Sequence, residues 1–411
     1  MKSLACVSLL SLFFVCAGCS DKGEHFVRTY ELLNVTEGMD LKFSDLVDEI
    51  RIVPLETRDN VLIADSRYVI NDKYIIVLGE DAIQQFDAVT GKHIRVLAVA
   101  GNGPNEFKGV TSALIKNGKL FYSCYGKNFV SVIDLESGRF LPQLPTTYKN
   151  DVSFFGMTDK EEIYMPNDSL LFETFDFGTQ TSTPVLDSSR HEKPRNVNAL
   201  SFVGFSLGGS AWLEDAEGVF LYNSRFSDSL YLKKGGKTEP YAVFLMPVNK
   251  NTNNSALRFT SGNELYMGIP FMDSRMYFCG FREMVTEVKG NAVTIFIRTK
   301  DLYCIDRKTG DAKIVKKYIF DPLFVTEFPQ EVKSEQERES NVADAICGRG
   351  NNWFADKAIY ATVLPAYKVK EYIRESLGDP DFPAEKVAEL QILDSKLTDE
   401  SNPVVFMGKK R

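Results

Sequence analysis

The chain has 411 residues, of which 44% are hydrophobic, 25% charged and 12% aromatic, values typical of a globular protein. The net charge of −8 and the lack of a basic patch argue against a nucleic-acid partner. No apolar run after Gly18 is long enough to span a bilayer, and the 30 Phe and 17 Tyr residues favour a strand-rich protein.

The N-terminus has the pattern of a secretion signal. Lys2 precedes an apolar run, Leu4–Ala17, which is too short for a stable membrane span but fits the core of a signal peptide. The run leads into Ala17-Gly18-Cys19, which resembles the lipobox of bacterial lipoproteins, although Cys16 stands where that family usually has Leu. The resemblance implies cleavage before Cys19 and attachment of a diacylglyceryl group to Cys19. The alternative is an ordinary secretory signal with a chance cysteine.

Lipidation places the protein outside the cytoplasm. We expect a cell-envelope protein, specifically an outer-membrane lipoprotein that faces the periplasm or the cell surface, with the membrane as a partner through its lipid anchor. Four cysteines follow Cys19: Cys124, Cys279, Cys304 and Cys347. An oxidising compartment permits disulfides between them, and their pairing stays open. The first three lie in apolar, strand-like runs, which favours buried thiols over disulfides, and no pair has the spacing of a zinc site.

The body of the chain carries a degenerate repeat in which an Asp is followed by a short turn and a new β-like run. The Asp can start the turn by accepting backbone hydrogen bonds, and a Gly in the turn supplies positive φ. Most copies recur at the interval of about 40–50 residues that is typical of propeller blades. The five copies are centred on Asp87, Asp134, Asp176, Asp228 and Asp306.

We therefore predict an all-β fold, a six-bladed β-propeller with two C-terminal helices inserted before the closing strand. The helices are expected over Tyr367–Leu377 and Ala384–Leu397, between early strands of the sixth blade in Asn352–Leu364 and a final strand in Pro403–Met407. Because an open sheet edge promotes aggregation, we expect Glu49–Leu55 to close the ring by pairing with that final strand. The predicted organisation is a signal peptide over 1–18, a lipidated tether over 19–40 and a single propeller domain over 41–411.

Several segments together resemble the six-bladed propeller lipoproteins of Gram-negative gut anaerobes, which are distantly similar to NHL and TolB-type propellers. The matching segments are Ile52–Thr57, Tyr74–Val77, Gly101–Phe107, Asp228–Tyr231 and Ser401–Val404. Asn102 and Asn105 stand where the family's G-x-G-P-x-E loop often has Arg and Gly. The resemblance supports the fold and the location, and it implies no particular chemistry.

Motifs for catalysis or metal binding do not form a coherent set. Gly204–Gly208 matches the G-x-S-x-G pattern of hydrolases, but all three histidines precede Ser206, the reverse of the order that the α/β-hydrolase triad requires. The three histidines and the absence of a calcium loop favour no metal, and no cofactor is expected. We therefore predict no catalytic residues.

The best candidate for ligand binding is the loop formed by Gly101, Gly103, Pro104 and Glu106. It can lie at a channel mouth with the Glu106 carboxylate available to a ligand. Alternatively, the glycines and proline only shape a crossing between blades, and Glu106 caps a turn. The latter interpretation is favoured.

Exposed aromatic residues provide a second type of candidate. Tyr125, Trp212 and Trp353 can stack on sugars, although a core role is expected for each. The leading hypothesis is a non-catalytic binding or scaffold protein of the envelope whose partner is a glycan, a peptide or an envelope protein. The alternatives are a carboxylate-dependent glycoside hydrolase or lyase, and a structural subunit of an envelope complex.

Overall fold

The computed structural model describes residues 28–32, 34–59, 61–64, 66–147, 152, 154, 156–158, 160–165, 172–185, 213–214, 220–223, 229–234, 237–245, 262–272, 275–289, 292–321, 326–329, 354–355 and 359–411. Between 185 and 358, side chains are described only at 241–244, 275–276 and 302–321.

Strands make up most of this part of the chain. In chain order they are β1 (Arg28–Glu31), β2 (Gly38–Lys42), β3 (Val47–Pro54), β4 (Arg67–Ile70), β5 (Tyr74–Leu78), β6 (Ala82–Asp87), β7 (His93–Val99), β8 (Val110–Lys116), β9 (Lys119–Cys124), β10 (Phe129–Asp134), β11 (Phe140–Pro145), β12 (Gly156–Met157), β13 (Ile163–Met165), β14 (Phe172–Asp176), β15 (Thr181–Val185), β16 (Leu213–Glu214), β17 (Phe220–Asn223), β18 (Ser229–Lys234), β19 (Lys237–Leu245), β20 (Gly262–Met272), β21 (Met276–Lys289), β22 (Ala292–Asp306), β23 (Ala312–Phe320), β24 (Thr326–Pro329), β25 (Phe354–Ala355), β26 (Ile359–Leu364) and β27 (Val404–Lys410). The helices are α1 (Phe43–Leu46), α2 (Ala366–Gly378) and α3 (Ala384–Lys396).

These strands form six sheets, which we number in chain order. Sheets 1 to 5 are antiparallel meanders made of β4–β7, β8–β11, β12–β15, β16–β19 and β20–β23, and sheet 6 consists of β26, β27 and β3. Four further strands extend these sheets: β1 pairs in parallel with β19, β2 in parallel with β23, β25 in parallel with β4, and β24 antiparallel with β23. Each sheet is therefore built mainly from one continuous stretch of chain.

The repeated Asp turns have the predicted chemistry in the four copies that the structure describes. The Asp87 carboxylate accepts the N–H groups of Val89 and Thr90, and the carboxylates of Asp134, Asp176 and Asp306 accept equivalent bonds from residues two or three positions later. Hydrogen bonds lower the pKa of all four carboxyl groups: the largest cause is a hydroxyl donor, Thr90 or Ser137, at Asp87 and Asp134, and a backbone N–H at Asp176 and Asp306. The glycine that ends the turn, such as Gly91 at φ +71°, has positive φ in three of these copies. Asp228 lies outside the described residues.

The two ends of the domain meet in sheet 6, as predicted. Strand β27 pairs antiparallel with β3, with Val404 opposite Pro54 and Phe406 opposite Ile52. Beyond this ladder, the side chain of Asn402 bonds three backbone groups of the segment that follows β3. The C-terminal strand is thus fixed to the N-terminal part of the domain both by a ladder and by a buried side chain.

Neighbouring sheets pack face to face in chain order. Separate clusters of buried apolar residues join sheet 5 to sheet 6, sheet 6 to sheet 1, sheet 1 to sheet 2 and sheet 2 to sheet 3. Sheet 4 reaches sheet 5 through β1, where Arg28 donates to the carbonyl of Arg307. No cluster between sheets 3 and 4 falls within the described side chains. Sheets 1, 2 and 6 are therefore each covered by one neighbouring sheet on one face and by another on the opposite face.

The C-terminal helices agree with the sequence-based prediction to within a residue at each end. Val369 and Ile373 of α2 and Leu390 of α3 are fully buried in the cluster between sheets 5 and 6. The Lys370 ammonium group donates to the Asp394 carboxylate at 2.7 Å and holds the two helices together. Inserted before β27, the pair covers apolar surface that these two sheets would otherwise expose.

Three details differ from the expectations. Phe354–Ala355 pairs with sheet 1, so only Ile359–Leu364 of the predicted early strands belongs to sheet 6. Arg28–Glu31 lies inside the stretch expected to be a tether, over 19–40, and Gly38–Lys42 begins inside it; the two strands pair with sheets 4 and 5. β1 and β2 form hydrogen bonds with the backbone of the last strand of a sheet, β19 and β23 respectively. The alternation of apolar residues in the sequence did not indicate this pairing.

The described cysteines are buried thiols. Cys124 and Cys304 are buried and form no disulfide among the described residues, in agreement with the interpretation favoured from the sequence. Cys279 lies on β21 opposite Tyr303, with its side chain outside the described set, and Cys19 and Cys347 also lie outside it. Among the described residues, no helix is long and apolar enough to cross a bilayer.

Candidate functional site

The predicted loop, Gly101–Phe107, connects the last strand of sheet 1 to the first strand of sheet 2. The Gly101 N–H donates to the carbonyl of Phe107 at 2.9 Å, and Phe107 is buried between the two sheets. Within the loop, the Gly103 N–H donates to the Glu106 carboxylate at 2.7 Å, while the Glu106 N–H donates back to the Gly103 carbonyl. The loop is thus a small closed turn anchored by one aromatic side chain.

The glycines of this loop leave room for the Glu106 carboxylate to fold back over the loop. A Cβ atom at Gly101 would lie 2.0 Å from Oε2 of Glu106, and one at Gly103 would lie 2.9 Å from its Cδ. Pro104 is exposed at the tip, and its carbonyl accepts from the Gln143 side chain at 3.4 Å. The structure therefore brings all four predicted residues together, with the Glu106 carboxylate folded back on its own loop as a turn cap.

Arg67 is a charged residue at the start of β4, the first strand of sheet 1. Its guanidinium group crosses to the first strand of sheet 2 and donates to the carbonyls of Val110 and Thr111. Burial lowers the pKa of Arg67, and among the described residues Tyr125 and Cys124 oppose this shift. Within the described residues, no carboxylate acts on this half-buried cation.

Tyr125 lies in the turn between β9 and β10 and is 57% exposed. Its N–H donates to the carbonyl of Gly109, and its ring lies against Gly109, where a Cβ atom would be 3.0 Å from Cδ2 of the ring. Gly109 has φ +60°, a conformation that L side chains rarely adopt. The glycine backbone therefore supports one part of the ring while the rest faces solvent.

These features lie at one end of sheets 1 and 2. Since successive antiparallel strands reverse direction, the β5–β6 turn, the β7–β8 loop and the β9–β10 turn all fall at the end where β4 and β8 begin. The Ala100 N–H donates to the carbonyl of Asp81, which ties the β7–β8 loop to the β5–β6 turn at 2.7 Å. We call the set of Arg67, Gly109, Tyr125 and the loop 101–107 the rim site.

The rim site combines a half-buried guanidinium group with an exposed aromatic ring, whereas the Glu106 carboxylate is engaged by its own loop. Within the described part of the chain, no group of three or more His, Cys, Asp or Glu side chains is arranged to hold a metal ion.

Sequence reasoning missed Arg67 and misjudged Tyr125. A core role was expected for Tyr125, but the turn places the ring in solvent. The signal for Arg67 was a lone charge at the start of the buried run Tyr68–Ile70. The candidates Trp212, Trp353 and Ser206 lie outside the described residues.

The architecture defines a predominantly β protein built from consecutive antiparallel sheets with a helical pair near its C-terminus. A family model described as a domain of unknown function, DUF4934, matches residues 30–409, so the chain belongs to that family. None of the curated proteins matches the chain.

Solved structures give a likeness in fold. A candidate exported protein of Bacteroides fragilis superposes with a TM-score of 0.58 at 12% identity, over 94% of this chain and 100% of that chain. A Bacteroides thetaiotaomicron protein of unknown function gives a TM-score of 0.33 at 12% identity, over 67% of this chain and 62% of that one. At this identity the first match indicates a shared fold, and the second is too weak to support an argument.

Proposed function

We propose that the chain is an exported, lipid-anchored six-bladed β-propeller that binds a ligand at the rim site without transforming it. The six sheets supply one blade each in chain order, and sheet 6 is completed by β3 from the other end of the domain. The packing of sheets 5 to 6, 6 to 1, 1 to 2 and 2 to 3 supports this ring, as does the hydrogen bond from Arg28 of β1 that links sheet 4 to sheet 5.

The observation that carries the binding function is the half-buried Arg67 beside the exposed Tyr125 where the first strands of two neighbouring sheets begin. First strands line the axis of a propeller, so this end corresponds to a channel mouth, where converging loops form the usual ligand site of the fold. A glycan, a peptide or another envelope protein fits such a site.

The location follows from the N-terminal motif. We propose that Cys19 is acylated after removal of residues 1–18 and that the domain is held at the outer membrane, facing the periplasm or the cell surface. The fold similarity to a candidate exported protein is consistent with this location.

The alternative of a carboxylate-dependent glycosidase needs two acidic groups roughly 5–10 Å apart at the mouth. The first strands whose side chains are described, β4, β8, β12 and β26, contain neither Asp nor Glu. No observation in this part of the chain favours that alternative.

Binding of the purified protein to a glycan array and a peptide library tests the proposal. We expect at least one ligand whose binding is lost in the Tyr125→Ala variant and kept in Tyr367→Ala, which removes an exposed tyrosine from α2. Absence of any ligand at about millimolar concentration, the weak end of specific recognition, contradicts the proposal.

A further inference from the structure

We infer that the rim site recognises an acidic saccharide, with Arg67 binding the sugar carboxylate and Tyr125 stacking on a sugar ring. This inference rests on the proposed function and assigns its ligand class.

The charge of Arg67 is the first step. Removing a guanidinium group from water is costly unless an anion or several acceptors compensate it. Two of its five N–H groups donate to the carbonyls of Val110 and Thr111, which leaves three within the described part of the chain. A ligand carboxylate supplies the missing negative charge, and Arg binds carboxylates through paired N–H donors.

The surroundings of Cys124 support a local positive potential. Burial raises the pKa of its thiol, while Lys127 and Arg67 act in the opposite direction. Lys127 lies two residues from Tyr125 in the same turn. Both cations therefore lie close to Cys124, the residue that precedes Tyr125.

The ring of Tyr125 is the second step. The ring lies against the Gly109 backbone, so part of its side-chain freedom is already lost before a ligand stacks on it. An exposed aromatic face beside a cation suits a pyranose, whose C–H face packs on the ring while its carboxylate meets the cation. An extended peptide would instead pair its backbone with an unpaired strand edge, which these two side chains do not provide. These two steps favour a saccharide over an acidic peptide.

The nearest acidic side chain of the loop does not compete for Arg67. The Glu106 carboxylate accepts the Gly103 N–H at 2.7 Å and is held within its own turn. The guanidinium group thus keeps its capacity for an external anion.

The test is isothermal titration of the purified protein with tetragalacturonate, with the uncharged tetragalactose as the paired probe. We expect the acidic probe to bind about ten-fold or more tightly than the neutral one, and the preference to weaken with added salt. In Arg67→Gln, which retains an amide donor for the neighbouring carbonyls, the preference for the acidic probe is expected to disappear. Arg67→Lys should retain part of it, and Arg374→Gln on α2 serves as the control.

Because Arg67 also joins two sheets, Tyr125→Ala provides a variant at an exposed position that leaves those bonds intact. It should weaken both probes by about ten-fold, whereas Tyr367→Ala should weaken neither. Equal affinity for the two probes, or a preference that survives in Arg67→Gln, overturns the inference.

A glutamate-rich peptide of equal charge completes the comparison. If the peptide binds and the acidic sugar does not, the saccharide assignment is wrong while the proposed function stands. If the array and the library also yield no ligand, the proposed function itself fails.

Discussion

Replacing Asn402 by Ala should destabilise the domain more than any other single amide truncation at a loop position described here. Asn402 is 2% exposed, and its side chain satisfies three backbone groups of the segment after β3. Its Oδ1 accepts the Ile63 N–H at 2.9 Å, and its Nδ2 donates to the carbonyls of Glu56, at 2.7 Å, and Val61. These bonds tie the chain before β27 to the chain after β3.

The magnitude follows from counting these groups. Each neutral hydrogen bond contributes a net of about 0.5–1.5 kcal/mol, and a buried group left without a partner costs about 1–3 kcal/mol. Alanine removes three bonds, but water can reach part of the vacated space and pair with the carbonyls. We therefore expect a loss of about 3 kcal/mol in the free energy of unfolding.

The polarity of the site gives a sharper variant. In Asn402→Asp, a carboxylate oxygen faces the carbonyls of Glu56 and Val61 in place of the NH₂ group, so the variant should be at least as unstable as Asn402→Ala. The control is Asn105→Ala, an exposed position in the loop 101–107, where the change should stay within about 0.5 kcal/mol.

The assay is urea unfolding followed by circular dichroism, with the three variants and the wild type measured at one pH. A constant slope with a lower midpoint identifies a loss of stability in the native state. The reasoning is refuted if Asn402→Asp is as stable as the wild type, or if Asn402→Ala loses less than about 1 kcal/mol, the value of a single net hydrogen bond.

Four further outcomes follow from the same structure. In Gly91→Ala, a Cβ atom at φ +71° would lie 2.0 Å from the Pro54 carbonyl oxygen, so the free energy of unfolding should fall by about 2–5 kcal/mol. The control Gly118→Ala, at φ +72° with no atom within 4 Å, should lose only the backbone strain of about 1–2 kcal/mol. Equal losses in unfolding experiments would contradict the contact. Burial is the main cause that lowers the pKa of His93 from 6.5, and the charge of Arg58 is the second. The neutral imidazole therefore contributes stability that is present above about pH 6.5 and is lost as the pH falls through the lowered pKa. His93→Gln should flatten this part of the curve of stability against pH, and an unchanged slope would refute the assignment. The lowered pKa values of the turn carboxyls act in the same direction at lower pH: the stability they contribute is present above about pH 4 and is lost as the pH falls further. The melting temperature of the wild type should therefore decline a second time in this acidic range, and His93→Gln should retain that decline. Cys19→Ser should move the protein from the membrane fraction to the soluble fraction after cell fractionation, and retention in the membrane would exclude the lipid anchor.

The closure of sheet 6 could be predicted because it depends on two apolar strands at the ends of the domain. The resemblance to a family singled out Ile52–Thr57 and Ser401–Val404, which overlap the two strands, Glu49–Leu55 and Pro403–Met407, that were expected to pair. In the structure they bond to each other: Leu55 donates to the carbonyl of Pro403, and Thr57 accepts the Asn402 N–H. The two segments lie at opposite ends of the domain in sequence because together they join its N-terminal and C-terminal strands.

The repeated Asp turns were also predictable, since each Asp bonds backbone groups only two or three residues away. The rim site was not, because it depends on contacts between sheets. Arg67 and Val110 come together only when β4 and β8 become neighbours, and no local pattern encodes that contact. Tyr125 directly follows the largely buried strand β9, so the sequence alone suggests a core position. Its exposure results from the turn that begins at the end of that strand.

The strands β1 and β2 change the geometry of the proposed lipid anchor. With a tether over 19–40, the domain would be held by a long leash, but β1 already pairs with sheet 4 at Arg28. The nine residues from Cys19 to that point span at most about 30 Å when fully extended. In the proposed ring, sheets 4 and 5, which hold β1 and β2 at their outer edges, lie opposite sheets 1 and 2. The anchor would therefore join the perimeter on the side away from Arg67 and Tyr125, and a short leash there would leave the rim site open to a large polymeric ligand.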